Sequence, residues 1–209
     1  MIIGLDVGGT HTDVVLLDSD GVKKEVKVPT DPLDLFNSVL SGLTSITEGF
    51  NPGEIDRIVL STTLTTNAIV QNKMTPVGMI VSSGPGIDPE SFRTNTHYFT
   101  VSGSIDHRGR EIKPIDADEI KEIAGHFKND GIRHVGVVGK FSVRNPSHEL
   151  AISRILNKSF EKVFMGHLIS GNLNFARRIA TTFLNASVYP LHKEFYQAVK
   201  RSLETRGLN

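Results

Sequence analysis

The sequence predicts an α/β fold with a mixed sheet, and three observations carry that expectation. At the N-terminus three β-rich segments follow one another, Ile2–Val7, Asp13–Asp18 and Val22–Val28, the last pair turned at Ser19-Asp20-Gly21. Such spacing is an antiparallel meander. The pattern then switches to β-α-β between Asp56 and Ser82. Beyond Asp116, helical and strand periodicities alternate, as they do in α/β proteins.

The elements follow in order. In Pro32–Gly49 the apolar residues Leu33, Phe36, Leu40, Leu43 and Ile46 form a helical stripe that ends at Gly49. Asp56–Ser61 reads as a strand, Thr63–Asn72 as a helix and Pro76–Ser82 as a strand. Ser83–Thr96, rich in Gly, Pro, Ser and Asn, reads as a long loop, Tyr98–Ser102 as a strand and Asp106–Gly109 as a turn. The acidic start Asp116–Glu119 suits the positive end of a helix running to about Asn129. Strand His134–Gly139, helix Pro146–Asn157 and strand Lys162–Gly166 come next. Two helices, Asn174–Ala186 and Leu191–Arg206, are expected to flank a break at Tyr189-Pro190. The order suggests an RNase H-like core. Three regions are expected: residues 1–100 as that core, 101–170 as an α/β extension of the same lobe, and 171–209 as a helical segment.

Whole-chain properties narrow the function classes. The net charge of zero gives no electrostatic footprint for nucleic acid or an anionic membrane. The chain has no cysteine, hence no disulfide or thiolate metal site, and no stretch approaches the ~20 apolar residues of a membrane span. A soluble, cytoplasmic protein is expected. The eight histidines show no His-x-x-x-His pair, which argues against a histidine-ligated metal.

The first turn carries the chemistry. Asp6-Val-Gly-Gly-Thr-His-Thr-Asp13 joins two strands through Gly8-Gly9 and places an acid at the end of the first. Glycines at positive φ leave backbone N–H groups uncovered, so the turn can wrap an anion. Hydroxyls of Thr10 and Thr12 suit phosphate oxygens, and the carboxylates of Asp6 and Asp13 suit a hydrated Mg²⁺. Gly-Gly is also an ordinary hairpin signal. A structural hairpin, however, needs neither two carboxylates nor two threonines, and Asp6 would be costly if buried unpaired in an apolar strand. The Walker and Rossmann patterns are absent. A second polar segment, Ser61-Thr62-Thr63-Leu64-Thr65-Thr66-Asn67-Ala68, lies where a strand gives way to a helix and holds more hydroxyls than one N-cap uses.

Asp6–Asp13 resembles the first phosphate motif of the actin, hexokinase and Hsp70 ATPase superfamily. More narrowly, it resembles the Asp-x-Gly-Gly-Thr-x-Thr-Asp signature of the hydantoinase/oxoprolinase A family, with His11 where that family usually has Phe. Thr62, Thr63, Thr66, Asn67 and Ala68 match the family's His-Gly-Thr-Thr-x-x-Thr-Asn-Ala block, in which Leu60-Ser61 replaces His-Gly. Ser104–Gly109, Phe141-Ser142, Asn145–Glu149, Arg178, Thr181-Thr182 and Leu184–Ala186 resemble further blocks in order, although Arg178 on its own also reads as an exposed helical cation. The resemblance implies an actin-like ATPase N-terminal lobe that works in ATP-dependent opening of a cyclic amide, a hydantoin or 5-oxoproline. It implies ATP and Mg²⁺ as cofactors, Asp6 and Asp13 as catalytic residues with Asp6 at the metal, and Gly8, Gly9, Thr10, His11 and Thr12 around the nucleotide. Thr62, Thr63, Thr66 and Asn67 fall on the substrate side.

A second lobe, or a B-type subunit or domain, is the implied partner. After Arg206 the sequence shows no second phosphate loop, so this chain alone is expected to turn nothing over. One lobe's charge-assisted hydrogen bonds, ~1.5–3 kcal/mol each, roughly cancel the ~4–15 kcal/mol cost of immobilising a ligand. ATP binding no tighter than about millimolar is expected, testable by titration calorimetry. Two other classes stay open: a sugar or small-molecule kinase lobe, which would yield a stable phosphorylated product, and a non-catalytic scaffold that binds a partner through Phe195 and Tyr196.

Overall fold

A computed structural model describes residues 1–208. In chain order the elements are β1 (Ile2–Val7), β2 (His11–Asp18), β3 (Gly21–Pro29), α1 (Leu35–Thr47), β4 (Arg57–Thr62), α2 (Leu64–Val70), β5 (Val77–Ser82), β6 (Tyr98–Thr100), β7 (Ser104–Ile105), β8 (Glu111–Lys113), α3 (Ala117–Asn129), β9 (His134–Gly139), α4 (Ser147–Leu156), β10 (Lys162–Met165), α5 (Gly166–Ile169) and α6 (Phe175–Thr205). They form two compact units. One is Met1–Lys73 with the stretch from Val188 onward, the other Met74–Ser187. The chain is α/β with a mixed sheet, as its sequence predicts.

In the first unit the strand order is β3-β2-β1-β4, with the meander antiparallel and β4 parallel to β1. Alternation decides which face is apolar. Ile3, Leu5 and Val7 of β1 and Val14 and Leu16 of β2 are buried together with Leu35, Val39, Leu43 and Ile46 of α1. Helix α1 lies so close to the sheet that a Cβ on Gly42 would stand 2.9 Å from Val14 Cγ2. Asp34 caps α1 by accepting from the Asn37 amide. Phe195, Ala198 and Val199, from the C-terminal part of α6, complete this core.

In the second unit the sheet order is β10-β9-β5-β6, all parallel. Two expectations are corrected here. Strand β5 does not continue the β4 sheet. Every residue of β5 and of β9 is buried, and a run apolar on both faces suits the centre of a parallel sheet covered on each side. The boundary between the two units follows Lys73. The expected pair of helices around Tyr189-Pro190 is one helix, α6, with Pro190 inside it. An interior proline lacks one N–H donor, and burial of Ile179, Ala186, Phe195 and Val199 along α6 offsets that loss.

Candidate functional site

The parity that buries Leu5 and Val7 turns Asp6 to the opposite, open face. Asp6 is registered directly against Asp13 of β2, Asp13 against Lys27 of β3, and Asp6 against Ser61 of β4. Four polar residues thus cross the sheet in one row: Lys27, Asp13, Asp6 and Ser61. Like charges directly opposite each other are unfavourable. Lys27 relieves part of this by donating from Nζ to Asp13 Oδ1 at 2.8 Å. The pair is exposed, 59% for Lys27 and 49% for Asp13, so it contributes only ~0.2–1 kcal/mol. The sequence argument that Asp6 would be costly if buried does not apply, because Asp6 is exposed.

At the turn, Gly8 N–H donates to the His11 carbonyl at 2.9 Å, leaving Gly9-Thr10 at the hairpin tip. Neither Gly8 nor Gly9 adopts positive φ, contrary to expectation. Space explains Gly8 instead, whereas Gly9 has only an ordinary contact beside it. A Cβ on Gly8 would sit 3.0 Å from the His11 carbonyl oxygen, and one on Gly9 would sit 3.4 Å from Asn67 Nδ2. The Thr10 carbonyl accepts from the Thr30 amide at 2.9 Å, and Thr10 Oγ1 lies 3.2 Å from His11 Nδ1.

Around this turn is a cleft of ≈ 640 Å³, within the usual range of ligand pockets. Asp6, Gly8, Gly9, Thr10, His11 and Asp13 line one side, and Thr63 and Asn67 another. Asn67 Nδ2 donates to Thr63 Oγ1 at 3.4 Å. Three expected residues are not brought in. Thr12 is fully buried on the core face, its hydroxyl 2.8 Å from that of Thr30. Thr62 donates to the Val7 carbonyl at 2.7 Å and accepts from Leu64 N–H at 3.2 Å, tying β4 to β1 and opening α2. Thr66 is exposed but does not line the cleft. Lys27, Gln71 and Lys73 do line it, and sequence reasoning missed them.

The remaining sequence blocks lie in the second unit, where they build structure. Asp106 accepts from the Arg108 and Arg110 amides and from Arg110 Nε. These bonds, the Arg110 amide first, hold its carboxyl down to about 2. Asn145 Nδ2 donates to the Gly109 carbonyl, and His148 Nε2 lies 2.7 Å from Glu111 Oε1. Glu149 is wholly buried, accepting from Gly139 N–H at 2.8 Å and from the His167 amide at 3.0 Å. Arg178 is also wholly buried, which corrects its reading as an exposed cation. It donates to the carbonyls of Gly139, Lys140 and Asn172. Burial lowers its guanidinium from the ordinary value, and the charge of Glu149 opposes that shift.

Comparisons agree with this architecture. Residues 2–160 match the family model described as hydantoinase/oxoprolinase N-terminal region. The caprolactamase subunit alpha of Pseudomonas jessenii is 26% identical over 98% of this chain and 34% of its own length. The acetophenone carboxylase gamma subunit of Aromatoleum aromaticum is 25% identical over 88% of this chain and 30% of its own. Among solved structures, the ATP-dependent caprolactamase of Pseudomonas jessenii superposes with a TM-score of 0.78 at 25% identity, over 98% of this chain and 34% of that one. The nucleotide-free acetone carboxylase superposes with a TM-score of 0.85 at 19% identity, over 99% and 34% respectively, a likeness of fold. The chain spans about a third of the length of these relatives. With three quarters of its residues inside the matched region, the chain belongs to the hydantoinase/oxoprolinase family through that family's N-terminal region.

Proposed function

We propose that this chain is the nucleotide-holding first lobe of an ATP-dependent cyclic-amide hydrolase, completed by a second lobe or a B-type subunit. The observation that carries the reading is the cleft in which Asp6, Asp13 and the Gly8–Thr10 turn face Thr63 and Asn67. The donor set fits a hydrated Mg²⁺. Two adjacent carboxylates offer hard oxygen ligands, and a metal that keeps most of its waters needs few more from the protein. When bound, Mg²⁺ would neutralise charge on the phosphate oxygens.

In this reading Asp6 would hold the metal's waters, and the Gly9 and Thr10 amides with the Thr10 hydroxyl would cradle the terminal phosphates, the Gly8 amide being bound to the His11 carbonyl. Asp13 orients the metal or the attacking oxygen, and His11 covers the turn. Thr63 and Asn67 border the substrate, with Thr62 holding the start of their helix in place. The γ-phosphoryl group passes from ATP to the amide carbonyl oxygen as ADP leaves. Water then adds at the activated carbon, the ring C–N bond opens as the nitrogen takes up a proton and leaves an acyl phosphate, and a second water splits that acyl phosphate into carboxylate and phosphate. Positioning and charge neutralisation supply most of the catalysis in such transfers.

Asp6→Ala in the intact protein tests this. Lactam- or hydantoin-dependent ATP consumption is expected to fall at least about a hundredfold; unchanged consumption would remove Asp6 from the site. The acetophenone carboxylase relative favours a second reading, in which the same lobe activates a ketone for carboxylation. ATP consumption that requires a ketone and bicarbonate, and ignores lactams, would establish that alternative.

A further inference from the structure

Lys27 belongs to the sheet row rather than to the turn motif. Lys23, on the same strand, pairs with Asp18 and Asp20 beside the β2–β3 turn. Lys27 instead donates to Asp13 at 2.8 Å and lines the cleft. Among the charged residues lining that cleft, Asp6 and Asp13 contribute −2 and Lys27 and Lys73 +2, so the four sum to zero. Such a cleft gains little from a lone cation or a lone phosphate. It suits the two together, because each pole of a metal–phosphate complex then meets its opposite charge. The exposed Lys27–Asp13 contact is weakly held, and the flexible four-carbon stem of lysine lets the ammonium reach a new acceptor.

We propose that Lys27 is a positioning residue that exchanges partners. Without ligand it is the counter-ion of Asp13; when the nucleotide enters, its ammonium passes to a phosphate oxygen and frees Asp13 for the cation. Lys27 thereby makes cation binding at Asp13 depend on the nucleotide. The proposal rests on the reading of the cleft given above.

The test titrates the intact protein with Mn²⁺ alone, followed by electron paramagnetic resonance, and separately with Mg-ATP, followed by calorimetry. Lys27→Met, Lys27→Arg and Asp6→Ala are compared with the unaltered protein. Lys27 is exposed on an edge strand, so its variants are expected to fold, with circular dichroism as the check. Lys27→Met is expected to bind Mn²⁺ tighter by up to about fivefold, since Asp13 loses its competing counter-ion. It is also expected to bind Mg-ATP weaker by about tenfold or more. Lys27→Arg should restore both values. Opposite signs for metal and nucleotide are the signature, because damage to structure alone would weaken both. Lys27→Met with Mn²⁺ affinity unchanged or reduced overturns the exchange. If Asp6→Ala binds Mg-ATP as well as the unaltered protein does, the nucleotide reading fails, and the exchange falls with it.

Discussion

The two sheets of this chain treat charge in opposite ways. In the first, Asp6, Asp13 and Lys27 stand on an open face, with two carboxylates opposed and one exposed lysine between strands to relieve them. In the second, Glu149 and Arg178 are wholly buried, and both grip the backbone at Gly139, where β9 ends. Asp6 and Asp13 on one side and Glu149 and Arg178 on the other all fall within family-like sequence blocks, so the blocks alone do not distinguish the two sets. The folded chain does: charge left loosely matched on a concave open surface is available to a ligand, whereas charge buried against main-chain groups fixes a loop in place.

The largest effect that would break this contrast lies in the second unit. Arg178→Met strips donors from three carbonyls and removes a positive charge that acts on buried Glu149, whose remaining side-chain partner is the His167 ring. Chemical denaturation is expected to show a loss of about 3–5 kcal/mol. A loss below about 1 kcal/mol, the ordinary scale of surface substitutions, would mean the buried charges are dispensable. Next come two glycines in different surroundings, one packed against an aromatic ring and one open to the cleft. A Cβ on Gly78 would fall 2.5 Å from Phe127 Cε2, within an aromatic group that includes Phe99 and Phe160. Gly78→Ala should therefore cost about 1–3 kcal/mol. At the turn, Gly9→Ala should change stability by no more than about 0.5 kcal/mol while weakening Mg-ATP binding, because the methyl enters the cleft beside Asn67. Equal stability losses at both glycines would erase the distinction between a packed sheet and an open site.

Much of this was legible in the sequence. Alternation in β1 and β2 located the meander, the Asp116 cap located α3, and the Gly8-Gly9 turn located the cleft. Thr12 was readable too. It shares parity with Val14 and Leu16 rather than with Asp13, so the period of two already assigns it to the core. Lys27 was not readable. An irregularity between Leu16 and Leu17 shifts the β2–β3 register by one, and counting outward from the Ser19–Gly21 turn would place Val26 opposite Asp13. The destination of β5 was equally hidden, since a β-α-β order in sequence does not reveal which sheet the last strand joins. Pro190 misled because proline in a helix is penalised locally, while α6 is held by packing along its length.

The smallest expected effect concerns the β7–β8 hairpin. Its amide bonds hold the Asp106 carboxyl down to about 2. Because the folded value lies below the unfolded one, the stabilisation from Asp106 is present above the ordinary carboxylate range and disappears as pH falls through about 2. Carbon-detected NMR titration should place this midpoint near 2, while a midpoint near the ordinary 3.8 would show that the hairpin bonds are not maintained in solution.

The central claim is that the open row on the first sheet, not the buried charges of the second, meets the nucleotide. Anomalous scattering from Mn²⁺ in crystals of the intact protein grown with a non-hydrolysable ATP analogue tests it most directly. The account predicts one metal peak beside Asp6, bridged through water, with the terminal phosphates against Gly8–Thr10. A peak remote from Asp6, with the triphosphate bound elsewhere, would contradict it.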